Sequence, residues 1–410
     1  MRHACQVAIP TTALSRRPGA LRIGKVSGVE IRLEVTLVLV FFLVAGSLGN
    51  RTLPAWHPDW PPALIWAVAF GAATLFFASV LAHELSHALV ARARGMRVAG
   101  ITLFMFGGVT ELVGEPPTPG TEFFMAIAGP LTSVFIGVVA TVAGTWFVHA
   151  SPELLTASPA QVLSAAGPLE TLLIWLGPVN VVLGAFNMVP GFPLDGGRVL
   201  RAILWAATGD LDKATVWAAG VGQAFAWLMI TAGVYIAFGG ELPLFGRGPF
   251  QGLWLVLIGW FLASAARMSA ARVTEMGALR GVPVRSLLVS HVEALDPDEP
   301  LEMAVKETIL HTDQSSFPVL AGGELVGLVG IREIQAARDR WPEARVKDVM
   351  LPAEQIKSIP ADSDAADALN ELADRDVNEV AVVDKGSFIG LLRRDDIVRW
   401  LAFHPIGARA

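Results

Sequence analysis

Residues 63–88 read ALIWAVAFGAATLFFASVLAHELSHA, and two features of this run decide how the rest of the chain is understood. From Ala63 to Ala82 no residue is charged, and the run is about as long as the 20 apolar residues a helix needs to cross a bilayer's hydrocarbon. Directly behind it, without a break, come His83, Glu84 and His87. Two histidines at i and i+4 of a helix share one face and can present imidazole nitrogens to a single metal ion. Glu84, beside the first of them, can reach the fourth, water-occupied position of a zinc ion and serve there as general base. Ionisable groups at membrane depth are costly and face a cavity or a partner. The alternative is a set of juxtamembrane polar residues just emerging into water.

The composition agrees with a membrane reading. Of 410 residues, 53% are hydrophobic and 17% charged, against roughly 25% charged in soluble chains; the mean hydropathy is +0.54. Twelve Trp stand against a single Tyr, Tyr235, and Trp collects at bilayer interfaces. A net charge of −6 gives no basic surface for nucleic acid. The single cysteine, Cys5, excludes an internal disulfide and any Cys-based zinc site.

Outward from this run, five further stretches approach spanning length: Val35 to about Leu48, Phe123–Val148, about Leu172–Val189, Val216–Phe238 and about Phe250–Ala266. Basic residues gather on the cytoplasmic side of membrane proteins. Arg92, Arg94 and Arg97 follow the second stretch, Arg198, Arg201 and Lys213 the fourth, and Arg267, Arg272 and Arg280 the sixth. The other connections carry only Arg51, no basic residue, and Arg247. The expectation is a polytopic α-helical domain of six spans in the cell membrane, with both termini cytoplasmic. Residues 1–34 read as a cytoplasmic lead-in, 35–270 as the membrane domain and 271–282 as a linker. Gly100–Leu112 alternates and turns at Gly107-Gly108, which predicts a membrane-associated β-hairpin.

From Gly281 the chain takes on the composition of a soluble α/β domain and repeats itself. Val284-Arg-Ser-Leu-Leu recurs as Val346-Lys-Asp-Val-Met, Phe317-Pro-Val-Leu as Val380-Ala-Val-Val, and Gly327-Leu-Val-Gly-Ile as Gly390-Leu-Leu-Arg-Arg. The duplication resembles a tandem pair of CBS domains, with repeats over 283–342 and 343–404.

A catalytic zinc needs a third protein ligand and one open position. The candidate is Asp195, in Asn187-Met-Val-Pro190-Gly-Phe-Pro193-Leu-Asp195-Gly196-Gly197 at the cytoplasmic end of the fourth stretch. The predicted topology brings it to the depth of the histidine pair. Pro190 and Pro193 break the helix, and Gly196-Gly197 permits close backbone approach. The plainer reading is a Pro/Gly turn with Asp195 as a helix cap.

Together, His83-Glu84-x-x-His87 and Asn187-x-x-Pro190-x-x-Pro193-Leu-Asp195-Gly196 resemble the site-2 protease family of intramembrane zinc metalloproteases, in the branch with a C-terminal CBS pair. The resemblance implies one zinc ion per chain on His83, His87 and Asp195, with Glu84 activating water and Asn187 near the substrate or developing oxyanion. It implies a single-span membrane protein as substrate, such as an anti-sigma factor already cut by another protease. It also implies that the hairpin can pair an unwound substrate strand. Ala128-Gly129-Pro130-Leu-Thr-Ser133 is similar to a small-residue motif of the family, and close helix packing is its ordinary explanation.

The nucleotide-binding pattern of CBS repeats is incomplete here. Arg393 and Gly330 stand where the family has Thr or Ser, and only Asp396 keeps the ribose-binding Asp, Glu333 replacing the other. Adenine nucleotide binding is therefore doubtful, although Arg393 offers charge to a phosphate; homodimerisation is the expected role of the pair. A CBS-regulated transporter of zinc or a small solute is the rival reading. It accounts for His83, His87 and Asp195 but gives Glu84 no reason to stand between the histidines.

Overall fold

The computed structural model describes residues 20–105, 107–149, 163–242, 246–288, 292–338, 341, 343–374, 377 and 379–404. The chain divides into two compact units, the first ending at Val273 and the second beginning at Thr274; Cys5 lies outside the described residues.

The first unit opens on two strands, β1 (Ala20–Val26) and β2 (Val29–Glu34), within the segment read as a cytoplasmic lead-in. Ser27-Gly28 makes the turn, both residues at positive φ, as a tight hairpin requires. Val29 and Ile31 alternate with charged residues and enter the core. β2 pairs in parallel with β3 (Arg97–Phe104), and β3 pairs antiparallel with β4 (Gly107–Val113). The four-stranded order is β1-β2-β3-β4, so β4 lies at one edge.

Among the described residues six helical segments are long and apolar enough to cross a membrane. The first is α1 (Val35–Ser47) continued by a π-helical turn over Leu48–Thr52 and α2 (Leu53–Trp56). That continuation supplies the length its apolar run lacks. α3 (Pro62–Ala93) starts on Pro61-Pro62, a sequence suited to a first helical turn. Then come α4 (Pro119–His149), α5 (Pro168–Asn187), the short α6 (Asp195–Thr208), α7 (Leu211–Ala237) and α8 (Pro249–Leu279). α8 runs on through most of the segment read as a linker.

Phe42, Phe135, Val138, Val142 and Leu228 are exposed; on a membrane-spanning unit these side chains face lipid. α4 and α5 approach through glycine, since a Cβ at Gly137 would meet Gly177 O and the backbone of Val181. α3 also packs on the sheet, Val80 and Ala88 forming one core with Val29, Leu37, Ile101 and Leu103.

The second unit holds two three-stranded sheets: β5 (Ser316–Ala321), β6 (Glu324–Gly330) and β7 (Leu351–Pro352), then β8 (Ile359–Pro360), β9 (Glu379–Asp384) and β10 (Ser387–Arg393). The repeats exchange their opening segments. Val284 and Leu287 lie in the core of Ile359, Val380, Val382, Leu392 and Ile397. Val346 lies in that of Leu301, Phe317, Val319 and Val329. Val284 N donates to Ser363 O at 2.9 Å and Val346 N to Glu299 O at 3.1 Å. The two sequence repeats are thus one interlocked packing unit. Arg393, the residue that offers charge to a phosphate, forks onto Asp396 at 2.9 and 3.1 Å and reaches Asp313 across the repeats at 3.1 Å.

Candidate metal centre

α3 does not stop where its apolar run ends. His83 stands about 32 Å along the axis from Pro62, at about 1.5 Å per residue, which is roughly one hydrocarbon thickness. The Ala, Leu and Val residues around the polar trio keep the helix continuous to Ala93. His83, Glu84 and His87 are all buried.

Asp195 reaches the same place by another route. α5 ends at Asn187, and the chain folds through Met188–Leu194, with a cis bond between Phe192 and Pro193, before α6 begins on Asp195 itself. Glycines set this loop down on its neighbours. A Cβ at Gly196 would strike the Met188 and Val189 carbonyls, one at Gly197 the backbone of Gly191 and Phe192, and one at Gly222 of α7 the Phe192 carbonyl. Phe192 N donates to Ala218 O of α7 at 3.3 Å.

Asp195 Oδ2 lies 3.0 Å from His83 Nε2 and 3.2 Å from His87 Nε2. The other ring nitrogens are tied off, His87 Nδ1 to Met125 O at 2.7 Å and His83 Nδ1 to Ser133 Oγ at 2.9 Å. A carbonyl only accepts, so His87 Nδ1 carries a proton; in the neutral form that binds a metal, the Nε2 lone pair is then turned toward a carboxylate oxygen. Acceptors facing one another across 3 Å are what a shared cation satisfies. Three donors about 2.0 Å from one tetrahedral zinc stand roughly 3.3 Å apart, close to the separations here. Space is kept for such an ion by Gly129 of α4, where a Cβ would land on both Nε2 atoms. The set therefore fits zinc, with outer partners that fix ring orientation as in known zinc sites.

Glu84 is held from the sheet side. Thr110 Oγ1 donates to its Oε2 at 2.8 Å. A Cβ at Gly108 would stand 2.7 Å from Glu84 Cδ and 2.9 Å from Oε1. The structure thus brings His83, His87 and Asp195 together, with Glu84 alongside. Asn187 is engaged elsewhere, its amide donating to Leu183 O of its own helix at 3.0 Å.

Four residues to which the sequence gave no part in the site belong to this neighbourhood. Gly129 and Ser133 sit in the segment explained by helix packing, yet one keeps space between the histidines and the other holds His83. Their placement four residues apart on one helix face was the available clue. Arg201 of α6, which sequence analysis counted only as a cytoplasmic charge, is buried against Glu122 of α4. Its Nε donates to Glu122 Oε1 at 2.7 Å. Glu122 is 0% exposed, and its Oε2 has no partner among the described residues.

Comparison with known proteins places residues 71–230 in peptidase family M50 and residues 284–339 and 346–403 in CBS domains. Rip3 of Mycobacterium tuberculosis is 32% identical over 93% of this chain and 92% of its own. Protein sll0528 of Synechocystis is 32% identical over 93% and 95%. MJ0392 of Methanocaldococcus jannaschii is 29% identical over 93% and 95%. The names of all three designate zinc metalloproteases. The solved site-2 protease from Methanocaldococcus jannaschii overlays 61% of this chain and 95% of its own at 28% identity and a TM-score of 0.39.

Proposed function

The chain belongs to peptidase family M50, the site-2 proteases, with a CBS pair behind its multi-pass membrane domain, and on that premise we propose that His83, His87 and Asp195 hold one zinc ion at which Glu84 serves as general base. The reaction is hydrolysis of a peptide bond in or beside the transmembrane segment of a single-span membrane protein. The observation that carries this reading is the meeting of three metal-ligand atoms from α3 and α6 within 4.8 Å of one another, with Glu84 one residue from the first.

Zinc, when bound, supplies Lewis acidity toward the scissile carbonyl. The chain's own groups do the rest. Met125 O and Ser133 hold the two imidazoles by Nδ1 so that both Nε2 atoms face Asp195. Glu84 takes the proton of the attacking water and returns it to the leaving amine. Asn187 reaches a developing oxyanion by turning its amide away from Leu183. The edge strand β4 receives an unwound substrate strand by main-chain pairing.

An anti-sigma factor trimmed beforehand by another protease is the substrate type supported by the resemblance of the motifs. The distribution of Arg and Lys supports a cytoplasmic placement of both termini. The CBS pair serves homodimerisation; its Arg393–Asp396 fork leaves the ribose-binding carboxylate paired within the chain.

The test is cleavage of a tagged panel of single-span membrane proteins by wild type and Glu84→Gln in matched membranes, with zinc measured on both purified proteins. Product from wild type alone, with zinc in both, is the expected outcome; equal product from both overturns the mechanism. Zinc retained by both without any peptide cleavage overturns the protease reading in favour of transport.

A further inference from the structure

The hairpin beside the metal centre does more than border it. β4 pairs with β3 so that Thr110 stands opposite Ile101 and Gly108 opposite Leu103. Ile101 and Leu103 are buried in the core that α3 shares. Side chains alternate along a strand, so Gly108 and Thr110 face α3 with them, and Val109 and Glu111 face away. Gly108 lacks a side chain, and this lets the strand settle against the Glu84 carboxylate. Thr110 then lies within reach of two acceptors of the same residue, Oε2 at 2.8 Å and the backbone O at 3.2 Å. A hydroxyl has one proton to give, and the carboxylate is both the nearer and the charged acceptor.

Glu84 is 8% exposed, and among the described residues Thr110 is the only side chain hydrogen-bonded to its carboxylate. The strand is braced from behind. Glu111 accepts from Arg32 at 3.1 Å and from Thr102 at 3.1 Å, and Arg32 is held in turn by Glu30 at 3.0 Å. A bulge between Val98 and Gly100 sets the register. Slipping by one residue would turn the other face of β4 to α3 and offer Val109 or Glu111 to Glu84 in place of a hydroxyl.

We propose that Thr110 is a positioning residue for the reaction: its hydroxyl holds the Glu84 carboxylate in the orientation that accepts the water proton, and so ties the general base to the edge strand. This rests on the reading of Glu84 as general base in a zinc protease. A carboxylate at the end of a flexible side chain, held by one donor, loses its aim when that donor is removed, while substrate contacts and metal ligands stay in place.

The experiment compares the full-length wild type, Glu84→Gln, Thr110→Val and Thr110→Ser on one cleaved substrate. kcat, KM, bound zinc and Tm are measured for each. Val keeps the shape of Thr without its hydroxyl, and Ser keeps the hydroxyl without the methyl. Thr110→Val is expected to lower kcat on the order of ten- to a hundredfold, by analogy with the range found for outer-shell partners of metal ligands, with KM, zinc and Tm at wild-type values. Thr110→Ser is expected to restore most of kcat. Equal kcat for Thr110→Val and wild type overturns the proposal, as does an equal fall in both Thr110 variants, which makes the effect one of shape. Loss of zinc or of Tm in Thr110→Val together with the fall in kcat overturns it in favour of a structural role. Should Thr110→Val not fold, a wild-type kcat in Thr110→Ala overturns it by the same logic. Equal cleavage by wild type and Glu84→Gln sinks the underlying reading and is told apart from the rest by that pair alone.

Discussion

At Gly129 a single methyl group tests the arrangement between His83 and His87. Alanine favours a helix over glycine by about 1 kcal/mol, so Gly129→Ala should not weaken α4 as a helix. Its Cβ, however, would fall on both Nε2 atoms. The expected outcome is a folded protein that purifies with much less zinc than wild type and does not cleave, measured by metal analysis beside thermal unfolding. Wild-type zinc content in this variant would contradict the placement of the ion between the two rings. His83-Glu84-x-x-His87 was legible in the sequence because a helix converts i,i+4 spacing into a shared face. The roles of Gly129 and Ser133 were not, since they depend on how α4 lies across α3. Asn187 shows the opposite limit: its motif marks it, but the structure gives its amide to Leu183.

Helices and strands carry the site only where they are locked to one another. The lock between α4 and α6 is the buried pair of Glu122 and Arg201, with Thr215 and Glu115 at the guanidinium's margins. It fixes the helix whose first residue is Asp195. Breaking one partner of a buried pair strands a charge and costs about 3–5 kcal/mol, whereas replacing both with apolar groups is often neutral. Arg201→Met is therefore expected to lower Tm and zinc retention in detergent, and Glu122→Leu combined with Arg201→Met to recover most of the Tm. Failure of the double variant to exceed the single one would count against this account. The pairing spans 79 positions of sequence, and no local period relates the two residues. The β1–β2 hairpin was legible in principle. Val29-Glu-Ile-Arg-Leu-Glu34 alternates behind a Ser27-Gly28 turn, the pattern of a hairpin even within a basic segment.

On the scale of the whole molecule, membrane topology is the property most open to test. Cys5 is the only cysteine, so Cys5→Ser gives a cysteine-free background. In that background Arg247→Cys is expected to react with a membrane-impermeant thiol reagent in intact cells, and Arg280→Cys only after lysis. The reverse pattern would invert the topology. The exchange of opening segments between the CBS repeats also belongs at this scale. Val284 completes the core built by the second repeat and Val346 that of the first, so neither repeat has a whole core alone.

Local sequence determined the spans, the repeat and the ligand types. Apolar run length, duplication and i,i+4 spacing are written along the chain and act over a few residues. Tertiary structure decided which acceptors meet, since Asp195 comes within hydrogen-bond distance of the His pair only through the packing of the Met188–Leu194 loop on α7. It also decided that Thr110 rather than Val109 faces Glu84, that Arg201 goes to Glu122, and that Arg393 is taken by Asp396. Each of these depends on distances between segments far apart in the chain. Those distances are set by the burial and close packing of whole elements, to which no short stretch of sequence gives access.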